Sequence, residues 1–477
     1  MTLKVVIVGA SIAGLSLANM LERVGIDYVL LEAYPEIAPQ VGASIGLLPN
    51  GLRILDQLGC YERIRAMAGD CYHRMNFREV GGRLLSSAGS VTMSERLEQQ
   101  TGYPAVWVDR QMLLQVLYDN LKCKDRVFAG KRAVRVEMTA SGVTVCTKDG
   151  SSYVGDVLVG ADGVHSIVRQ EMWRIAGTTS PEAFPPQEVS KVQSSTKCIF
   201  GISNRPSNFP PGTNQESALS RGRCYLAVSG PGERVYWFFF VALRETRYGS
   251  SIPRFSKEEE TALARCHLSD LITGGMTFGD LYENRIASTL VALEEHVFSR
   301  WHFGSIVLVG DSAHKVHPIT AQGGNGAMES AAHLVNALAR IDASANLPTP
   351  ESIEAALSEV HARRSHRAEA MMKSGRRNGA ILCQEFPFAK HVIRLVLPLL
   401  GDNVLFRDML KYALSGPRVE GLPVPARPHA TPYLDELPPR GQGSGVFDWV
   451  AWTASAVGIG LLGVLVCRGI LWGAVLL

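Results

Sequence analysis

The chain has 477 residues, too many for one compact core and enough for two or three domains. Hydrophobic residues make up 46% and charged residues 19%, a globular composition, and a net charge of +3 without a basic stripe points away from nucleic acid. Nine cysteines stand as singletons from Cys60 to Cys467, an odd count with no Cys-x-x-Cys, which argues against a disulfide framework or a zinc site and for a reducing compartment.

Met1–Val8 is apolar enough to pass for a signal peptide, but it carries one lysine and runs straight into a glycine motif. Lys4–Val8 is therefore read as a first strand. Ile12–Val24 reads as a helix stopped by Gly25 and Tyr28–Leu31 as a second strand, together a βαβ opening. Asn50–Leu58 is a short amphipathic helix closed by Gly59. Asp109–Leu121 is another, with Asp109 placed to cap it. Arg132–Glu137, Val143–Thr147 and Val157–Val159 read as strands, with a turn at Lys148-Asp149-Gly150. From Ser180 to Arg285 the pattern becomes β-rich, in runs such as Lys197–Ile202, Cys224–Val228 and Arg234–Leu243, and this stretch is assigned to a second, sheet-based domain. Ile306–Val309 returns to the first domain as a strand, followed by a helix over Ala327–Ile341. Pro350–Arg377 and Glu385–Leu414 read as mostly helical. Pro417 to Pro439 holds seven prolines in twenty-three residues, the composition of an extended, semi-rigid spacer. Trp449–Val466 then runs without a charged residue. At ~1.5 Å per residue it is just long enough to cross a bilayer core, with Trp449 and Trp452 at an interfacial position and Arg468 closing the run. It is read as a membrane segment; the alternative is a buried terminal helix.

Gly9-Ala10-Ser11-Ile12-Ala13-Gly14 fits a dinucleotide-binding turn. Gly9 lets the chain turn after the strand, Gly14 lets the helix pack on the sheet, and the helix N-terminus offers N–H groups to a pyrophosphate. Ser11 stands where the middle glycine is usual and is small enough to keep the site. Glu32, eighteen residues past Gly14, sits where a carboxylate grips a ribose 2′-OH, which suits the AMP half of FAD, or NAD, better than NADP. Alone, the motif also fits an ordinary strand–helix turn. His314 and His317 form a His-x-x-His pair with no acid or cysteine at ligand spacing, so no metal is expected.

Val157-Leu158-Val159-Gly160-Ala161-Asp162-Gly163 and the residues through Arg169 resemble the Asp-Gly segment of class A FAD-dependent monooxygenases. Gly310-Asp311-Ser312-Ala313-His314, with Pro318 and Gln322-Gly323-Gly324-Asn325-Gly326, resembles their Gly-Asp segment. The likeness covers residues 1 to about 345. Within the family, Lys4 through Gly59 and the proline-rich stretch with its apolar tail resemble the fungal membrane-bound monooxygenases of meroterpenoid and indole-diterpene pathways, which epoxidise a prenyl olefin.

The resemblance implies an α/β fold: a Rossmann-like FAD-binding domain of aromatic-hydroxylase type, a β-sheet substrate domain and a C-terminal transmembrane helix. The expected boundaries are an FAD-binding domain in three parts (1–75, 101–180, 286–345), a substrate-domain excursion (76–100), a β-rich substrate domain (181–285), a helical region (346–415), a Pro-rich linker (416–445) and a membrane anchor (446–477). Asp311 would accept from ribityl hydroxyls, and Arg110 would donate to the ribityl–phosphate region. Gly46 would let backbone approach the flavin, and Pro318 would shape the wall where oxygen reacts. Gly323 and Gly324 would open a helix whose positive end faces the flavin. Asp162 and Gly163 would touch the pyrophosphate and an incoming nicotinamide nucleotide. With no second Gly-rich nucleotide fold, NAD(P)H is expected as a transient co-substrate. Tyr225, in an aromatic run with Tyr236 to Phe240, is the catalytic candidate for donating to the transferred oxygen; a packed tyrosine is the alternative.

The implied reaction is epoxidation of a prenylated small molecule with O2 through a flavin C4a-hydroperoxide. Alternatives are ring hydroxylation of a phenol by the same chemistry and a non-enzymatic prenyl-binding protein on the same fold. The implied location is a membrane, with lipid as a partner: a single-pass C-terminal anchor in the endoplasmic reticulum, the catalytic part facing the cytosol.

Overall fold

The computed structural model describes residues 3–39, 44–68, 74–87, 93–139, 142–210, 214–343 and 348–438. They divide into a unit Met1–Pro432 and a second unit from Tyr433, whose described residues, 433–438, make one turn closed by the Glu436 N–H donating to Tyr433 O at 3.0 Å.

The opening is β1 (Lys4–Val8), α1 (Ile12–Val24) and β2 (Asp27–Leu31), with Gly25 in the left-handed region ending the helix. These strands belong to a six-stranded sheet ordered β18 (His302–Phe303), β19 (Ile306–Leu308), β11 (Val157–Gly160), β1, β2, β7 (Val127–Phe128). All neighbours run parallel except β18 and β19. Parallel strands are covered on both faces, which is why β1, β2, β11 and β19 are short continuous apolar runs. The order has a direct consequence. β1, β11 and β19 are neighbours, so the segments that follow them, at Gly9, Asp162 and Asp311, leave the same edge of one sheet although 302 residues separate the first from the last. In an open α/β sheet that edge is where ligands bind.

The second sheet has seven strands, ordered β16 (Arg285–Ala292), β12 (Gln193–Asn204), β15 (Arg234–Tyr248), β14 (Arg223–Ser229), β13 (Asn214–Ser220), β4 (Arg74–Glu79) and β5 (Leu84–Ser87). It is antiparallel apart from β13 and β4. Side chains alternate across it. Ile199, Tyr225, Ala227, Trp237 and Phe239 face α7 (Lys257–Arg265) and α8 (Phe278–Glu283), packing with Ala264, Phe278 and Leu281. Cys198, Cys224, Leu226, Tyr236, Phe238 and Phe240 face the other way, toward Leu48, Trp107, Ile319 and Ala321 of the nucleotide side. Three smaller sheets complete the strands: β8 (Ala133–Thr139) with β9 (Gly142–Thr147) and β10 (Ser152–Gly155), the ribbon β3 (Ser44–Leu47) with β6 (Val106–Asp109), and β17 (His296–Val297) with β20 (His314–Lys315). The remaining helices are α2 (Pro49–Gln57), α3 (Tyr61–Ala68), α4 (Met93–Thr101), α5 (Arg110–Asn120), α6 (Ile167–Thr179), α9 (Gln322–Asp342), α10 (Pro350–Leu382) and α11 (Ala389–Leu414).

Behind α9 lies a buried ionic cluster that no motif announces. Glu329 accepts from Arg364 Nη1 at 2.8 Å, Arg367 Nη2 at 2.6 Å and Asn50 Nδ2 at 2.7 Å, tying α9 to α10 and α2. Burial alone would raise the Glu329 carboxyl; Arg367 and Arg364 overcome it and hold the group down at about 2. Removing one member of such a cluster strands the others without water. Glu329→Gln is expected to destabilise the fold by about 3–5 kcal/mol, read as a lower denaturant midpoint, whereas the joint change Glu329→Leu with Arg364→Met costs less. A Glu329→Gln protein as stable as the parent contradicts the cluster's role.

Two expectations need correction. Residues 417–432 are not an extended spacer. Val419 is fully buried, its N–H donates to Gln57 Oε1 at 2.9 Å, and Arg427 Nε meets Asp56 Oδ2 at 2.5 Å. Proline-rich composition stiffens a chain without stopping it from lying on a surface that offers partners. The second correction concerns the membrane. Among the described residues no helix is long and apolar enough to cross a bilayer, and the anchor expected over 446–477 lies outside them. α10 and α11 are long, yet they carry Arg364, Arg367, Arg376 and Arg394, each paired with an acid of the same unit. The single-pass, membrane-bound location and its lipid partner are therefore not retained.

Candidate functional site

The turn after β1 is built by close approach. Gly9 has φ +105°, and a Cβ there would fall 2.5 Å from Ala161 O. A Cβ at Gly14 would fall 1.9 Å from Gly9 O. Only glycine fits either place, so the loop hugs β11 and α1 sits tightly on the sheet. Ser11 is the N-cap of α1 but makes no capping bond, and the first turn holds no acid, which leaves its N–H groups and partial positive charge open to an anion. The Ser11 hydroxyl accepts from Arg110 Nη2 at 2.7 Å. Glu32, just past β2, accepts from the Ala10 N–H at 2.7 Å and the Tyr34 N–H at 2.9 Å, so it braces the glycine turn from the side.

Asp311 lies in the 3₁₀ turn Gly310–Ser312 that leaves β19. Its main-chain carbonyl bonds His296 Nε2 at 3.0 Å, while among the described residues its carboxylate makes no hydrogen bond. Burial raises the Asp311 carboxyl above its ordinary range, against the pull of Lys315 and Arg110. Burial likewise lowers the Arg110 guanidinium, against the pull of Asp311 and Glu32. Glu32, Arg110 and Asp311 thus share one electrostatic environment at the sheet edge. An unpartnered carboxylate beside an uncapped helix end fits a ligand that brings hydroxyl donors together with a pyrophosphate.

Asp162 departs from its expected role. Its carboxylate accepts from Ser166 Oγ at 2.5 Å, the Ile167 N–H at 2.7 Å and the Val168 N–H at 3.1 Å, so it is spent on the start of α6. Arg169, seven residues on, joins the two motifs: Nη2 donates to Val164 O at 2.6 Å and Nη1 to Ser312 O at 2.9 Å, with its guanidinium 4.7 Å from the Phe298 ring centre.

A second set of close approaches forms where β3, β6 and α9 meet. A Cβ at Gly46 would fall 2.9 Å from Ala321 Cβ and 3.1 Å from the Trp107 ring. Ala321 precedes α9 with φ 54°, a left-handed conformation that costs a non-glycine residue of order 1 kcal/mol and leaves the helix without a side-chain cap. Gly323, in the first turn, has open space around it, and a Cβ at Gly324 would fall 2.5 Å from Ile45 Cδ1. Asn325 fastens the junction. Its Nδ2 donates to Gly46 O at 3.0 Å and Ala321 O at 2.6 Å, and its Oδ1 accepts from the Leu48 N–H at 3.2 Å. Asn325 was legible only as part of a motif, because two of its three partners, Gly46 and Leu48, come from distant chain.

Tyr225 lies on the face of its sheet turned away from Trp107 and Ala321. It stacks on Phe239 at 4.4 Å and donates to Asp270 Oδ2 at 2.6 Å, on the α7–α8 face of the seven-stranded sheet. Strand alternation sends Cys224 and Leu226 toward the nucleotide side and Tyr225 away from it. The wall that approaches the nucleotide side carries Phe200, Phe238 and Phe240, with Phe238 and Trp107 centred 5.7 Å apart. The histidine pair is likewise spent on packing. His314 Nε2 bonds Ser330 Oγ at 2.7 Å, and the His317 ring lies 5.4 Å from Phe240.

Comparison with known proteins agrees with this geometry. A family model described as an FAD binding domain matches residues 2–374. The chain is 36% identical over 430 residues to the FAD-dependent monooxygenase ausM of Penicillium brasilianum, covering 89% of this chain and 88% of that one. It is 38% identical over 407 residues to the FAD-dependent monooxygenase spyC of Aspergillus fumigatus, covering 84% of each. Among solved structures, HpxO of Klebsiella pneumoniae complexed with FAD and uric acid superposes with a TM-score of 0.71 at 26% identity, over 87% of this chain and 97% of that one.

Proposed function

The chain belongs to the FAD-dependent monooxygenases that carry this FAD binding domain, and from that premise we propose that it epoxidises an olefin of a prenylated secondary-metabolite intermediate, using NAD(P)H and O2. The observation that carries the reading is the wall: the face of the seven-stranded sheet turned to the cofactor side is aromatic and aliphatic, through Phe200, Leu226, Phe238 and Phe240, with Trp107 and Ile319 opposite. Such a surface suits a hydrocarbon chain, for which each buried CH₂ is worth ~0.8 kcal/mol.

Gly9, Ser11 and Gly14 would present the α1 N-terminus to the FAD pyrophosphate, and Arg110 would reach the phosphate–ribityl region. Glu32 would hold the adenosine ribose, and Asp311 would accept from ribityl hydroxyls. The start of α9, opened by Gly323 and Gly324 and backed by Gly46, would set a partial positive charge against the pyrimidine edge and favour the reduced, more anionic state. Bound and reduced, FAD supplies an electrophilic oxygen atom derived from O2. The chain's own share is to exclude water and hold the alkene against that atom; electrophilic transfer to an alkene asks for no protein base.

The test is product analysis. Purified enzyme, NADPH and a prenylated phenol should yield a product heavier by one oxygen atom, with the added oxygen on the prenyl chain and open to acid hydrolysis to a diol. Oxygen found on the ring instead overturns the reading.

A further inference from the structure

Asp109 should cap α5 from its N-cap position, yet its side chain makes no capping bond. The carboxylate instead accepts from Tyr236 Oη and Arg234 Nη1, both on β15 of the seven-stranded sheet. Asp109 and Tyr236 are both buried, and the face around them is otherwise apolar. The contact is registered at a second point. Phe238, two residues beyond Tyr236 on the same face, meets Trp107, two residues before Asp109. Gly230 clears space for the tyrosine, since a Cβ there would fall 2.6 Å from its ring.

Burying a carboxylate between two sheets is costly, and an apolar pair would hold them together at least as well. What the polar cluster adds is a single allowed register. Its position in the chain gives that register a consequence. Asp109 is bonded through the backbone to Arg110, whose guanidinium holds Ser11 at 2.7 Å and stands in the field of Asp311 and Glu32. A continuous path therefore runs from the substrate-side wall, through Tyr236 and Asp109, to the cofactor cradle.

We propose that Tyr236 and Arg234 are positioning residues, which seat Asp109 and through it Arg110, so that tight FAD binding depends on the docking of the substrate-side sheet. The proposal rests on Arg110 belonging to the FAD cradle. The molecule supplies its own control: Tyr225 stands on the same sheet, is equally buried, and donates to Asp270, but on the opposite face.

The experiment titrates apoprotein with FAD, following flavin fluorescence, alongside the melting temperature of each apoprotein. Tyr236→Phe should bind FAD about tenfold more weakly (about 1.4 kcal/mol). Arg234→Lys should weaken it in the same direction, and it carries the test if Tyr236→Phe does not fold. Tyr225→Phe should bind FAD as the parent does, even where its apoprotein melts lower. Parental affinity in Tyr236→Phe and Arg234→Lys, or equal losses in Tyr236→Phe and Tyr225→Phe, overturns the proposal. Arg110→Ala separates the premise: if it keeps parental affinity, the cradle assignment fails, whereas if it alone weakens binding, only the coupling fails.

Discussion

Asp311→Ala is expected to leave purification with little bound FAD, its affinity reduced about 100-fold, while its apoprotein melts no lower than the parent. The two halves have one cause. In the folded chain the Asp311 carboxylate is shielded from water enough to be raised above its ordinary range, and among the described residues it makes no hydrogen bond. Such a group costs folding energy that only a ligand's donors recover. Two hydrogen bonds to a charged acceptor, at about 1.5–3 kcal/mol each, comfortably exceed the ~2.7 kcal/mol that a 100-fold loss requires. A variant that is yellow and saturated at parental FAD concentrations removes Asp311 from the cradle. One that loses FAD because its apoprotein unfolds shows a structural role instead.

As the pH falls from 7 to 5, three buried histidines should together withdraw about 6 kcal/mol of stability from the fold. They are His302, His314 and His317, and burial shifts His333 and His296 in the same direction. Burial lowers His302 to about 4, aided by Arg300 and His361. Burial lowers His314 to about 3, aided by Arg364, and His317 to about 4, aided by Arg376. The unfolded chain takes up protons on these rings below about pH 6.5, while the folded chain stays neutral until near pH 4, so the unfolded state binds more protons throughout that window. Their stabilisation is complete above pH 6.5 and is lost as pH falls toward the folded values, at about 2 kcal/mol per ring by pH 5. Denaturant midpoints at pH 7, 6 and 5 measure it. A flat profile refutes the neutral burial of these rings, and replacing His302 with glutamine should make the profile shallower by about 2 kcal/mol between pH 7 and 5.

The βαβ opening and the strand at Ile306 are short apolar runs bounded by glycine, a signal that covalent neighbours carry in full. Helix α9 begins five residues earlier than its apolar period suggests, because Gln322-Gly323-Gly324-Asn325-Gly326 has poor helical propensity and is held in place by Asn325 bonds to Gly46 and Ala321. The proline-rich segment reads as a spacer because composition reports stiffness and cannot report that Gln57 and Asp56 wait to receive it.

A dinucleotide-binding turn is legible because the glycines and their acid are near neighbours in the chain; FAD as the cofactor and an α/β fold of aromatic-hydroxylase type come from the resemblance of the Asp-Gly and Gly-Asp segments to class A FAD-dependent monooxygenases. Which way a side chain looks was settled in space. β14 and β15 are buried on both faces, so their alternation sorts residues into two sets without saying which set meets the cofactor. Tyr225 went to the far side and Tyr236 to the near one. Asp162 and Asp109 were both recognisable as polar residues at element ends. Only the folded molecule assigned one to the start of α6 and the other to a second sheet, because a carboxylate pairs with whichever donors the fold brings within 3 Å.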